Sequence, residues 1–349
     1  MRGEVLLFEG TWPPQVALLV AAACVDFVIG DPWSWPHPVQ AMGWLIGKYS
    51  GLMIRWSPPA FVMKVAGVGL AVLLIGGSFA VSALVLSWLA VISPILRLMA
   101  EMVLLASCFA GRSLRQAAED VLTPLSRMIS SNSEADEPNN EANEPLLVQA
   151  RQKLAMYVGR DTAQLSAAEV RRAVLETVSE NAVDGVLAPL FYAWVGALVG
   201  WAAPVALAYK AASTLDSMVG YREAPYTDLG WFSAKFEDAL TWLPCRLSVI
   251  SVALLSGRFF QVLRICWRDA RADPSPNAGW SECVYAAALG VQLGGKNTYQ
   301  GKVKVKPLLG EATKPIDVGV ISQALRLTRW SFLSGLVIGI CVLISRLPR

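Results

Sequence analysis

The sequence predicts an all-α integral membrane protein with five or six membrane helices, re-entrant or broken segments among them, and polar cytoplasmic loops. Three observations lead there. Hydrophobic residues make up 54% of the 349-residue chain and charged residues only 16%, against about 25% charged in soluble domains. Mean hydropathy is +0.46. The apolar residues gather into runs near the ~20 residues that a spanning helix needs, and helix is the form in which a single segment satisfies its own backbone in lipid.

The runs follow in order. Gln15–Gly30 is a short candidate with Asp26 near its end. Glu4 and Glu9 spoil a basic signal-peptide start, and "AAAC" before Cys24 is a weak lipoprotein-like box, so this run reads as a retained membrane helix. Phe61–Ile92 exceeds one span and would tilt, or turn near Ser87–Ser93. Pro94–Ala110 carries Arg97 and Glu101 at the i, i+4 spacing that lets them pair on one helix face. Val186–Tyr209 has "GALVG" in its middle. Ala239–Ser256 holds Pro244 and Arg246, and Trp330–Ser345 is the last span. Lys and Arg are concentrated in Trp33–Ala60, Arg112–Asp184 and Arg258–Arg329. The positive-inside rule places all three in the cytoplasm.

The whole chain, 1–349, reads as a single membrane-embedded domain, with a disordered acidic insert at 130–145 ("SSNSEADEPNNEANEP") and a cytoplasmic loop region at 257–329. The net charge of +3 is small and dispersed, which gives no footing for nucleic acid. The six cysteines are scattered without a C-x-x-C pair and read as buried small side chains.

Four stretches carry chemistry. In "ETVSENAVDG", Glu176, Glu180 and Asp184 would share a face of a continuing helix, and like charges in line call for a cation such as Mg²⁺, an amine, or Arg171 and Arg172. A solvated helix face is the plain alternative. That helix starts at a capping box, Ser166 with Glu169. Lys210–Asp238 is long for a passive connection and dense in ionisable groups. "GDPWSWPHPVQAMG" places the only histidine, His37, between prolines. It reads as a structural hydrogen-bonding group or as a ligand, and a His-based triad is excluded. "GVQLGGKNTYQGKVKVKP" begins like a phosphate-binding loop, but Asn297 stands where Ser or Thr belongs. Helix-like sequence precedes it, and period-two "YQGKVKVKP" follows with Lys302, Lys304 and Lys306 on one face. A helix end turning into a basic strand fits better.

"GDPWSWPHPVQAMG", "SENAVDGVLAPLFY", "YKAASTLDSMVGY", "SAKFEDALTWLPCRL" and "PSPNAGWSECVYAAALGVQLGGKNTYQG" occur in this order. Together they resemble the cobalamin-biosynthesis family that makes adenosylcobinamide phosphate, the CobD/CbiB family. The resemblance runs from about Asp26 to the C-terminus. Ser213, Glu237 and Thr241 depart from the expected pattern.

The resemblance implies a multi-pass enzyme of the bacterial inner membrane. It would join a carboxylate of adenosylcobyric acid to (R)-1-aminopropan-2-ol or its O-phosphate, with ATP and Mg²⁺, the corrinoid being a substrate. Under that implication Glu180, Asp184, Lys210 and Asp216 are the catalytic candidates. Glu180, Asp184 and Asp216 would hold Mg²⁺ or the amine, and Lys210, Arg222 and Lys296 would address phosphates. Asn181, Asn277 and Asn297 would bond corrin amides, with Trp231 and Trp280 against the ring. His37 and Asp238 complete the substrate-binding set. Other cobalamin-pathway enzymes, membrane lipid and a second copy of the chain are the remaining partners to consider. Rival readings are a corrinoid or small-anion transporter and a lipid-phosphate transferase.

"SENAVDG" and "TLDSMVGYRE" flank Val186–Tyr209, and a straight span would hold them ~30 Å apart. The expectation is therefore a hairpin breaking near Gly196–Gly200, or a cavity at membrane depth.

Overall fold

The structure, a computed structural model, describes residues 14–30, 37–131 and 143–346. Most of the 130–145 insert, residues 31–36 of the proline–tryptophan stretch, and the first thirteen residues lie outside the described residues. The helices are α1 (Pro14–Val28), α2 (Pro38–Trp56), α3 (Ala60–Ile92), α4 (Pro94–Ala106), α5 (Gly111–Ser131), α6 (Glu144–Leu154) and α7 (Ala167–Asn181). A π turn, Ala182–Leu187, leads to α8 (Ala188–Ala197) and α9 (Ala202–Val219). Then come α10 (Trp231–Leu255), α11 (Phe259–Asp269), α12 (Ala278–Leu289), the strands β1 (Gln292–Tyr299) and β2 (Lys302–Gly310), and α13 (Val318–Ser345).

Four helical stretches are long and apolar enough to cross a membrane: Ala60–Ile92, Pro94–Met128, Trp231–Leu255 and Val318–Ser345. The second is interrupted at Ser107–Ala110. The shorter apolar α1 makes a fifth candidate, so the all-α membrane class holds and the chain is multi-pass. Phe61–Ile92 does not turn back: α3 is continuous over 33 residues. Its outward side chains include Leu73, Leu84 and Val91, all exposed, as suits a helix solvated by lipid.

The reading of 1–349 as one domain meets a more divided structure. Contacts cluster into two compact units interleaved along the chain. The first holds residues 1–110, 189–237 and 333–349; the second holds 111–188 and 238–332.

In the first unit α9 is the packing hub, lying against α2, α3 and α4. Its alanines make this close approach workable, since Ala202, Ala203 and Ala206 are fully buried. Gly67 of α3 lets the backbone of Leu229 in, because a Cβ there would stand 2.0 Å from the Leu229 carbonyl oxygen. The expected break near Gly196–Gly200 is present. α8 ends at Ala197, Gly200 takes φ +79°, and Trp201 N–H returns to Gly196 O. The Tyr192 and Tyr209 rings stack at 4.7 Å across the resulting helical hairpin. The polar stretch after it is less of a loop than the sequence implied. α9 continues to Val219, and only Gly220–Gly230 connects it to α10.

In the second unit α5, α6 and α12 surround α7. The region 257–329 is folded rather than loop-like: α11, α12, the β-hairpin and the start of α13 fill it. Tyr285, fully buried on α12, joins its hydroxyl to Thr328 Oγ1 at 2.6 Å. The hairpin is antiparallel, with Lys296 opposite Val305 and Tyr299 opposite Lys302. Four cysteines are buried as expected, whereas Cys24 and Cys341 are exposed, and all six are free thiols.

Candidate active site

The second unit gathers charge around α7. Ser166 caps the helix and Glu169 returns the bond, the capping box the sequence announced. Ser166 N–H, above all, holds the Glu169 carboxyl below the ordinary range. With that end fixed, Arg172 and Glu176 fall one turn apart on one face. Glu176 is buried and closely held. Its Oε1 accepts from Arg172 at 2.9 Å and from Gly294 N–H at 3.0 Å, and its Oε2 pairs with Arg160 at 2.6 Å. Arg172 also donates to the carbonyls of Gly294 and Lys296. Asn297 Oδ1 accepts from both Arg160 (2.9 Å) and Arg172 (3.0 Å).

The glycine-rich stretch is what admits this. Two residues of β2, Pro307 and Leu308, oppose the single Gly294 in a bulge. Gly294 takes φ +86°, and a Cβ there would lie 2.0 Å from Pro307 O. A helix precedes the motif and a strand forms it, the reverse of what a phosphate-binding loop needs.

A second pair lies beside the first cluster. Glu282 on α12 has no exposure, and Lys306 on β2 donates to its Oε1 at 2.9 Å. Its Oε2 is buried without a hydrogen-bond partner among the described residues. Burial pushes the Glu282 carboxyl up to about 8; Lys306 opposes this while Glu180 and Glu176 add to it. Burial would lower the Lys306 ammonium, but Glu282, Glu180 and Glu176 together drive it upward. Carboxylates and cations thus alternate across one unit, with Glu180 exposed at the end of α7 and Lys306 half-buried.

The other expected residues fall as follows. Asp184 lies half-buried in the π turn, whose winding is marked by Ala188 N–H reaching Val183 O. Such turns recur at functional sites. Asn181 donates to Thr177 O on its own helix. Lys296 is exposed on β1. Asn277 is engaged on both ends, accepting from Arg246 at 3.0 Å and donating to Asp238 O at 2.9 Å. Arg246 lies 5.0 Å from the ring centres of both Trp242 and Trp280. Trp280 and Asn277 therefore face an internal guanidinium.

In the first unit Lys210 and Asp216 are half-buried on α9, and Arg222 is exposed in the loop after it. Asp216 lies against Gly220, where a Cβ would stand 2.0 Å from its Oδ1. Lys64 pairs with Asp228 at 3.5 Å and stands 6.0 Å from the Trp231 ring centre. His37 is the N-cap of α2, its Nδ1 accepting from Val39 N–H at 3.2 Å. That is the structural one of its two readings.

Among the described residues no three His, Cys, Asp or Glu side chains converge on one point as a metal cage would require. Mg²⁺ carried by a nucleotide needs only one or two protein carboxylates, so the residues suit an ion that arrives with phosphate. Sequence reasoning missed Arg160 and Glu282. A visible signal existed for Glu282, a lone acid in the apolar run "AGWSECVYAAAL".

The family profile described as CobD/Cbib protein matches residues 19–328. The "Cobalamin biosynthesis protein CobD" of Synechocystis sp. is 48% identical over 341 residues, covering 95% of this chain and 93% of that protein. The "Cobalamin biosynthesis protein CbiB" of Salmonella typhimurium is 39% identical over 318 residues, covering 89% and 93%. The "Cobalamin biosynthesis protein CobD" of Citrobacter koseri is 40% identical over the same length and shares. No solved structure matches the chain.

Proposed function

The chain belongs to the CobD/CbiB family, and from that membership we propose that it is a cobalamin-biosynthesis enzyme joining adenosylcobyric acid to (R)-1-aminopropan-2-ol or its O-phosphate as an amide. The observation that carries the reading is the match to relatives named as cobalamin biosynthesis proteins along nearly the whole chain. Those names speak for biosynthesis rather than transport. The bacterial inner membrane is the location proposed for this multi-pass protein.

A carboxylate does not condense with an amine in water unaided. Mg-ATP would supply the phosphoryl group that makes the carboxylate oxygen a leaving group. What remains for the protein is positioning and charge stabilisation. In the second unit Glu180 and Asp184 are the carboxylates at hand for a nucleotide-borne Mg²⁺ or for the substrate ammonium. Lys306 and the exposed Lys296 are the cations at hand for phosphate or carboxylate. Glu282 fixes the Lys306 ammonium at 2.9 Å, while Glu176 holds Arg160 and Arg172 as a rigid backing for the hairpin. In the first unit Lys210, Asp216 and Arg222 are the corresponding candidates.

The test is purified protein with adenosylcobyric acid, Mg-ATP and each amine in turn, read by mass spectrometry. An amide product formed only with ATP supports the reading. Uptake of corrinoid into sealed vesicles without ATP, and no amide, would replace it with transport.

A further inference from the structure

α11 follows the apolar helix α10 after only Ser256–Arg258, where Gly257 takes φ +70° and turns the chain. Its inner face, with Val262, Ile265 and Cys266, is buried, and the helix packs on α12 and β2. Its outer face is a different composition. Phe260, Arg264, Trp267 and Arg271 follow at spacings that set them in one stripe along the helix and its 3₁₀ continuation. Phe260 is 85% exposed and Trp267 62%. The Arg271 guanidinium lies 3.7 Å from the Trp267 ring centre. Arg258 and Arg264 are exposed as well, and Arg268 at the edge is held by Asp269 and Glu311.

Water does not favour two large bare aromatics on one short helix. A helix with a buried inner face has no further need of them for its own folding. The chemistry that accepts both parts of the stripe is the boundary between acyl chains and headgroups. Aromatic rings concentrate there, and guanidinium groups meet lipid phosphates. The short connection to α10 keeps α11 near one end of a membrane-crossing segment. Seven residues separate Phe260 from Trp267, about 10 Å along the axis, so a helix lying flat would insert both rings at one depth.

We propose that α11 is an interfacial element that lies in the headgroup layer of a bilayer containing anionic phospholipid. Phe260 and Trp267 enter the acyl boundary, and Arg258, Arg264 and Arg271 face lipid phosphates. The proposal rests on the membrane architecture and is independent of the ligation reaction.

The experiment uses the full chain in nanodiscs, with Cys24→Ser and Cys341→Ser to remove the exposed thiols. A nitroxide is attached through Phe260→Cys, Trp267→Cys or, as a water-facing reference, Gln164→Cys. All three positions are exposed, so the substitutions remove no core packing. Collision with oxygen is compared with collision with a nickel chelate, in zwitterionic lipid alone and with added phosphatidylglycerol. The labels at 260 and 267 should favour oxygen, and the reference should favour the chelate. Arg258→Gln with Arg264→Gln should shift the 260 and 267 labels toward the chelate when phosphatidylglycerol is present. Chelate-dominated collisions at 260 and 267 would overturn the proposal. So would dipolar broadening between 260 labels, which would mean that a second copy covers the face. Indifference to both phosphatidylglycerol and the arginine changes would overturn the anionic-lipid assignment.

Discussion

Lys306 Nζ lies 2.9 Å from Oε1 of Glu282, a carboxylate with no solvent exposure and an opposite oxygen that meets no donor among the described residues. The two residues sit 24 positions apart, on a helix and on the far strand of the hairpin that follows it.

That pair carries a pH signature. Burial raises the Glu282 carboxyl to about 8, against an ordinary value of 4.5. The folded state therefore binds a proton more tightly than the unfolded state. Stability from this group is fully present below about pH 4.5 and is lost as pH rises toward 8. Glu282→Gln should flatten that slope. Thermal unfolding in detergent from pH 5 to pH 8 checks it, and parallel slopes for both proteins would reject it.

Glu176 neutralises two guanidinium groups that are mostly shielded from solvent, with side-chain exposures of 7% for Arg160 and 16% for Arg172. Glu176→Ala should destabilise the second unit by about 3–5 kcal/mol, since it strands buried charge. Arg160→Met combined with Glu176→Gln should recover part of the loss. Chemical unfolding of the two variants would show whether the losses add or partly cancel.

The capping box allows a milder change. Ser166→Ala should cost about 1 kcal/mol. Glu169 titrates below its ordinary value of 4.5, so its contribution is present above that value and disappears on acidification through the lowered one. The difference between Ser166→Ala and the parent protein should accordingly shrink in acid, as followed by helical circular dichroism.

Gly294→Ala places a Cβ on Pro307 O and asks an L-residue to hold φ +86°. The strain alone is about 1–3 kcal/mol, and relief would move the N–H that Glu176 accepts. Limited proteolysis should cut the hairpin of this variant faster than that of the parent. Gly301→Ala, at φ +74° with open space around the missing Cβ, should change the rate less.

For the proposed ligation, Asp184→Ala and Asp216→Ala should each lower amide formation by about a hundredfold or more while the protein remains folded. Wild-type turnover in either would remove that residue from the mechanism.

The sequence was most informative where the controlling contact is local. Ser166 and Glu169 are three residues apart, Arg97 and Glu101 four, and both pairs form. The break after Ala197 was legible because glycine marks it. Lys210–Asp238 was read as loop because it is rich in Ser, Thr and charge. The helix persists to Val219 because Thr214 and Ser217 bond back to the carbonyls of Lys210 and Ser213, so hydroxyls that commonly end helices are absorbed into this one. The cluster around Glu176 was not legible. Arg160 and Gly294 come from opposite sides of the chain, and nothing in their neighbourhoods announces a partner more than a hundred residues away. His37 was ambiguous by nature, since a ring nitrogen can cap a helix as readily as it can ligate.

The π turn makes the length of "AVDGVL" a structural quantity in its own right. It takes in one residue more than ordinary helical winding requires. Deleting a single residue there would let the helix relax, and each residue of an α-helix accounts for about 100° of rotation. Gly185 and Val186, now buried, would swing out of place relative to Glu176, although no side chain in the charged cluster had been altered. A one-residue deletion in this hexapeptide should therefore be worse tolerated than most substitutions within it, because it changes phase rather than composition.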